Sequence, residues 1–235
     1  MRILTDSNTK SLKSRALGWY QVTLELAPHK LSGYNTCQYS DGCEDTCIFG
    51  AGRGRFTLVE SSRIARTHLL FRDYAQFWAR LDGELYEHIE KASTLGLKVC
   101  VRMNTFSDLP WWRVTRPDML NVFQAWPDLQ FFDYTKRPLS HVPYHIPNYH
   151  ITKSWGAGST VNTLRDAKNR GVNVAVVFAG DIPKRFHGYY TINGDKTDLR
   201  FLDKKFRIVA LKQKSTPNKQ AGIDSGFIQI ERAVA

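Results

Sequence analysis

Two spacings of apolar residues alternate along the chain. Short β-prone runs predict strands, and apolar residues three or four positions apart predict helices. Strands are expected at 19–26, 97–103, 129–134, 150–154, 172–178 and 207–211, and helices at 59–70, 74–92, 117–125 and 161–169. About six β–α units in this order favour a largely parallel sheet.

The predicted architecture is an α/β fold, a partial (β/α)6-type barrel in a single domain. This domain spans 19–235 and carries a Cys-rich loop at 32–55. The N-terminal extension, 1–18, is polar, shows neither spacing, and is expected to pack loosely. One domain accommodates 235 residues because α/β barrels commonly reach this length.

Polar clusters follow several of the predicted strands. Ligands of parallel α/β folds gather at the C-terminal ends of strands, so these clusters are expected to converge on one mouth. We expect acid–base roles for Asp108 and Lys136. Substrate contacts are expected from Asn104, Ser107, Asp133, Thr135 and Asp181. The alternative is that these side chains cap helices and form turns, as Ser, Thr and Asp often do.

Three of the four cysteines, Cys37, Cys43 and Cys47, lie within eleven residues of the Cys-rich loop. Three thiolates are what a 4Fe-4S cluster needs when one iron is left open for a ligand. Zinc is the alternative, with a water or a fourth ligand from Cys100, His29 or Asp45. Bare thiols are the third interpretation, since cysteine is commonly buried as a small apolar residue.

The formal charge of +11 favours an anionic partner such as a nucleotide or nucleic acid, although a merely basic surface is the other interpretation. No stretch approaches the roughly 18 apolar residues of a membrane span, and the first residues lack an apolar signal core. We therefore expect a soluble cytoplasmic protein with no membrane partner. Cysteines in that compartment are expected to be thiols or metal ligands.

Longer motifs resemble those of a known family. They are Thr36-Cys37, Gly42-Cys43, Thr46-Cys47, Arg63-x-x-Arg66-Thr67, Val101-Arg102-Met103-Asn104, Ser107-Asp108, Asp133-Tyr134-Thr135-Lys136, Asn193-Gly194-Asp195 and Asp198-Leu199-Arg200-Phe201-Leu202-Asp203. Together they are similar to the phage gene-product-88 family over about 19–214. This resemblance implies a phage context, hence the host cytoplasm, and one domain, but no particular reaction.

Three cysteines after the first strand of a partial barrel are also similar to radical S-adenosylmethionine enzymes, in which the open iron of the cluster binds the cofactor. Those enzymes carry Cys-x3-Cys-x2-Cys, and the spacing here is longer. Asn104-Thr105-Phe106 also stands where they have Gly-Gly-Glu. The resemblance therefore implies the cluster more directly than S-adenosylmethionine.

The leading hypothesis is a phage-encoded iron–sulfur enzyme, similar to radical S-adenosylmethionine enzymes, that acts on a nucleotide or nucleic acid. The alternative is a non-catalytic phage protein that binds nucleic acid or a host factor. In that alternative, zinc holds the cysteine loop or the loop is metal-free.

Overall fold

A mostly parallel ten-stranded sheet organises the computed structural model, which describes residues 1–7, 9–216 and 218–230. The last five residues of the domain expected at 19–235 lie outside the described residues. The strands are β1 Leu4–Thr5, β2 Trp19–Leu24, β3 Lys98–Arg102, β4 Gln130–Thr135, β5 Tyr149–Ser154, β6 Val174–Phe178, β7 Arg185–Phe186, β8 Tyr189–Asn193, β9 Ile208–Lys212 and β10 Ile228–Gln229. The α-helices are α1 Thr9–Arg15, α2 Thr57–Arg72, α3 Tyr74–Thr94, α4 Val122–Ala125, α5 Val161–Asn169 and α6 Lys219–Asp224.

Six strands, β2, β3, β4, β5, β6 and β9, lie side by side in chain order and are parallel. Their bounds agree with the six predicted strands to within two residues. β1 pairs antiparallel with β2 at one edge, and the β7–β8 hairpin forms the other edge through β8, which is parallel to β9. Over the described residues this is a single α/β domain whose sheet is not closed.

Strict β–α alternation, which the (β/α)6 prediction implies, does not hold. The connection from β4 to β5 contains only a short 3-10 turn, Leu139–His141, and the connection from β6 to β9 contains the β7–β8 hairpin. The helix predicted at 117–125 is also too long. Asn121 caps a helix that begins at Val122, because its side chain accepts hydrogen bonds from the backbone of Phe123 and Gln124.

The core lies on the face of the sheet that the helices cover. Alternate side chains of β2 (Tyr20, Val22 and Leu24) are fully buried in one cluster with Leu81 and Leu85 of α3. A second cluster joins β6 and β9 to α5. Successive residues of a strand point to opposite faces of the sheet. The other side chains of these strands therefore lie on the opposite face, which contains the polar ones.

The N-terminal segment does not pack loosely, contrary to the sequence-based expectation. Ile3 and Leu4 are buried, and the carboxylate of Glu84 on α3 accepts hydrogen bonds from the backbone N–H groups of both. A strand of two residues is too short to display a period. This segment is therefore held by tertiary contacts that the local sequence does not reveal.

No α-helix in the described part of the chain combines the length and the apolarity that crossing a membrane requires.

Replacing Glu84 by alanine is expected to destabilise the protein by about 1–3 kcal/mol, because two buried backbone donors lose their acceptor. Urea denaturation monitored by circular dichroism measures the change. The control is Glu87→Ala, which removes an exposed ion pair with Arg2 and should have a much smaller effect on stability. Equal losses in the two variants would contradict the role given to Glu84.

Candidate functional site

A cavity of about 360 Å³ opens at the C-terminal ends of the parallel strands. Every one of the six parallel strands contributes at least one lining residue, among them Thr23, Arg102, Tyr134, Ser154, Val177 and Leu211. In a flat sheet β2 and β9 would lie about 24 Å apart, at about 4.8 Å per strand. Since both line one cavity, the sheet curves around it.

The cysteine loop follows β2 and covers one side of this cavity. Cys37, Cys43 and Cys47 all line it, whereas Cys100 is buried in β3 and does not. All four cysteines are unpaired thiols, as expected. The backbone N–H of His29 donates to Cys37 Sγ at 3.3 Å, and this sulfur lies 3.4 Å from the carbonyl oxygen of Phe106.

Burial governs the ionisation of two of these thiols. Burial, with a smaller contribution from the neighbouring Cys43 and Cys37, raises the pKa of Cys47 to about 12. Burial likewise raises the pKa of Cys37. Without a bound cation both thiols are therefore neutral at pH 7. Among the residues described, no three His, Cys, Asp or Glu side chains are grouped as a single metal ion requires.

Asn104 organises the loop that follows β3. Its side-chain oxygen accepts hydrogen bonds from Ser107 Oγ at 2.8 Å, from the backbone N–H of Leu109 at 3.0 Å and from Trp111 Nε1 at 3.1 Å. Its amide nitrogen donates to the Leu109 carbonyl oxygen. Asn104 and Ser107 both line the cavity, but the bonding capacity of Asn104 is used within the loop.

Asp133 lies behind this loop and does not line the cavity. Its carboxylate accepts hydrogen bonds from the backbone N–H of Asn104 at 2.6 Å and from the Tyr149 hydroxyl at 3.1 Å. Burial nevertheless raises the pKa of Asp133 to about 7. Asp133 therefore contacts the loop after β3 and the start of β5, and it does not face the cavity.

Asp108 connects three parts of the site. Its carboxylate accepts hydrogen bonds from Thr135 Oγ1 at 2.7 Å and from the backbone N–H of Lys136 at 2.9 Å, at the end of β4. Its own backbone N–H donates to the carbonyl oxygen of Thr36, which precedes the first cysteine of the loop. Asp108, Thr135 and Lys136 line the cavity. Asp108 thus holds the cysteine loop against the end of β4.

Lys136 extends over the Phe227 ring, with its ammonium 4.7 Å from the ring centroid. It is also close enough to lower the pKa of Cys47, although burial dominates there. Asp181 lies elsewhere: its side chain is 92% exposed, pairs with Lys212 at 3.2 Å and does not line the cavity.

The C-terminal segment forms a wall of the cavity that the sequence did not predict. Phe227 lines the cavity, and β10 pairs with β6 just after it. The segment packs on the cysteine loop: Ser225 Oγ lies 3.3 Å from the carbonyl oxygen of Gly42. A Cβ on Gly42 would lie 2.7 Å from Ser225 Oγ, so only glycine permits this approach. The sequence gives only a weak signal for β10, because a strand of two residues shows no period.

A second group of residues that line the cavity was not predicted from the sequence. Arg102 pairs with Asp198 at 3.2 Å, and its guanidinium lies over the Tyr134 ring. Gln213 follows β9 and also lines the cavity. Arg102 and Tyr134 belong to motifs noted in the sequence, but only the tertiary structure places them at the cavity.

One family model, described as Gene product 88, matches residues 2–230. This confirms the family resemblance seen in the sequence and extends it beyond 19–214 at both ends. No curated protein and no solved structure matches the chain.

Asp133→Asn should remove a pH dependence of stability. The folded-state pKa of about 7 is above the unfolded value of about 3.9, so Asp133 favours the folded state below pH 4 and loses that contribution as pH rises through 7. The stability of the wild type relative to Asp133→Asn should therefore fall by up to about 1.4 kcal/mol per pH unit between these values. Denaturation of both proteins across this range measures the difference.

Asp181→Asn is the matched control for the loss of one carboxylate, because this side chain is 92% exposed and lies outside the cavity lining. Parallel stability profiles for Asp133→Asn and the wild type would show that Asp133 does not titrate with a raised pKa.

Proposed function

We propose that this chain, which belongs to the Gene product 88 family of phage proteins, is an iron–sulfur enzyme of the host cytoplasm. Cys37, Cys43 and Cys47 would hold a 4Fe-4S cluster at the mouth of a partial barrel. One observation carries the proposal: these three thiols line a single cavity together with the C-terminal ends of six parallel strands.

A 4Fe-4S cluster and a single zinc ion require different arrangements of their ligands. A zinc site needs three or four ligands gathered around one atom, and the described residues contain no such group. In a cubane each thiolate binds a different iron, so its ligands are farther apart. Three thiols are also the number of protein ligands that a cluster with one open iron uses.

When bound, such a cluster supplies electron transfer and an open iron for a ligand. The residues of the chain position and surround it. Asp108 acts as a positioning residue, because its backbone holds Thr36 beside Cys37 while its carboxylate holds the end of β4. The ammonium of Lys136 would offset part of the negative charge of three thiolates.

The proposed substrate is a nucleotide or nucleic acid, with Asp108 and Lys136 facing it from the cavity wall. Asn104, Ser107 and Thr135 also line that wall, so their predicted substrate contacts remain part of the proposal. The six strands in chain order, with thiols after the first, support a plan similar to radical S-adenosylmethionine enzymes. Asn104 uses its amide within its own loop, which gives no support for S-adenosylmethionine as the cofactor.

A non-catalytic protein that binds nucleic acid or a host factor is the second candidate. The distribution of positive charge over the chain favours this second candidate. The described cavity lining holds four basic side chains and five carboxylates, whereas the whole chain carries +11, so the excess positive charge lies outside the cavity. This candidate predicts salt-sensitive retention on DNA that the three cysteines do not affect.

Anaerobic expression followed by iron and sulfide reconstitution tests the leading proposal. We expect a brown protein with about four irons and matching acid-labile sulfide per chain. Alanine at Cys37, Cys43 or Cys47 should remove most of the iron and the visible absorption. Iron and sulfide assays and absorption spectra measure both.

Cys100→Ala is the matched control, since this thiol is buried away from the cavity, and it should keep the iron. A folded, iron-free wild type would refute the cluster, as would equal iron loss in Cys100→Ala. Zinc at one ion per chain without sulfide would support the second candidate.

A further inference from the structure

Positive charge is concentrated in two short segments at the edge of the sheet opposite the cavity. Residues 165–170 form the end of α5 and the residue after it, and residues 204–207 lead into β9. These ten residues contain six Lys and Arg residues and one carboxylate, so they hold +5 of the formal +11 of the chain. We call the six cations the basic edge: Arg165, Lys168, Arg170, Lys204, Lys205 and Arg207.

Tertiary contacts bring the two segments together. A Cβ placed on Gly171 would lie 3.7 Å from the Cδ atom of Lys205, so the Lys205 side chain runs past the turn after α5. The backbone N–H of Arg207 donates to Asn173 Oδ1 at 2.9 Å. Because β6 and β9 are parallel and begin just after these segments, the basic edge lies at their N-terminal ends. None of its six described residues lines the cavity, which opens at the C-terminal ends.

Most cations of the basic edge are not neutralised by the protein. In the described part of the chain, Arg170 is the only one of the six with an ion pair, to Asp166 at 2.7 Å. Asp203, which precedes the second segment, pairs instead with the buried Arg200. Elsewhere the balance is reversed, because α3 carries four carboxylates and two Lys or Arg residues. The two signs of charge are therefore segregated, whereas an ordinary solvated surface mixes them.

Two aromatic rings hold cations of the basic edge in place. The Lys168 ammonium lies 5.7 Å from the centroid of the Tyr189 ring, and the Arg170 guanidinium carbon lies 5.4 Å from that of the Tyr144 ring. Cations held against rings lose less conformational freedom when they bind an anion. This surface is therefore organised in advance to contact several negative charges at once.

The composition of the basic edge favours a hydrated polyanion over a membrane surface. Adsorption to anionic lipid uses basic residues together with apolar side chains that enter the bilayer. The only large apolar side chain in the two segments is Phe206, and its ring packs against Tyr189 at a centroid distance of 4.9 Å. Nucleic acid presents closely spaced phosphates, and basic residues alone can bind them.

We infer that the basic edge binds the phosphate backbone of nucleic acid without reading the bases, at a site separate from the cavity. The inference rests on the proposed function for its choice of nucleic acid as the partner, and it locates that contact on the surface. Chemistry at the cavity and retention on nucleic acid then depend on different residues.

Fluorescence anisotropy with a labelled DNA duplex of about 20 base pairs tests this inference on the anaerobically prepared full chain. We expect affinity to fall steeply as salt rises. Two duplexes of unrelated sequence should bind within about threefold of each other, because phosphate contacts carry no sequence information.

The double variant Lys204→Gln with Lys205→Gln should weaken binding about tenfold at low salt. It should also make the slope of log K against log salt shallower by about 1.8, because two phosphate contacts are lost. Lys168→Gln should make the slope shallower by about 0.9. Anisotropy titrations at four salt concentrations measure the slopes, and wild-type affinity and slope in both variants would overturn the inference.

The matched control removes two exposed lysines elsewhere, by Lys13→Gln with Lys30→Gln. It changes the net charge by the same amount and should leave the slope nearly unchanged. Both double variants should keep the thermal midpoint of the wild type, since the replaced side chains are exposed. Equal weakening in the two double variants would show that overall charge, and not the basic edge, binds the duplex.

Iron content, measured on the same samples, separates this inference from the cluster proposal. Iron-loaded wild type that binds no duplex would overturn the inference and leave the cluster in place. Iron-free protein whose duplex binding depends on Lys204 and Lys205 would support the inference and refute the cluster. Binding to phosphatidylserine vesicles in place of DNA would overturn the inference.

Discussion

Parallel hydrogen bonding among β2, β3, β4, β5, β6 and β9 is the constraint on which the candidate site depends. Parallel strands end at the same edge of a sheet, so segments far apart in sequence must meet there. The curvature of the sheet then brings the ends of β2 and β9 to one cavity. The cysteine loop reaches this cavity because it leaves the end of β2.

Three polar residues at this edge support the cavity. Asn104, Asp108 and Asp133 form hydrogen bonds that join the loops after β2, β3 and β4. Asn104 and Asp108 also line the cavity, so the same side chains shape its wall and hold the loops together.

The thiols are the chemically distinctive part of the cavity. Three of them line a space whose lining charges nearly cancel, while the chain as a whole is strongly basic. Positive charge elsewhere on the surface is the part suited to a polyanion.

The sequence by itself determined the order of the six strands, the three long helices and the loop that carries three cysteines. Those features depend on local periodicity and residue spacing, which can be read directly from the sequence. It also identified Asp108, Thr135 and Lys136 as residues at the mouth, because strand ends are local features. It did not reveal the N-terminal strand, the C-terminal wall or the place of Asp181 away from the cavity. Tertiary structure alone decided these, because two-residue strands have no period and the direction of a side chain depends on its neighbours. The same holds for Gln213 and Tyr134, which line the cavity only because the sheet curves around it.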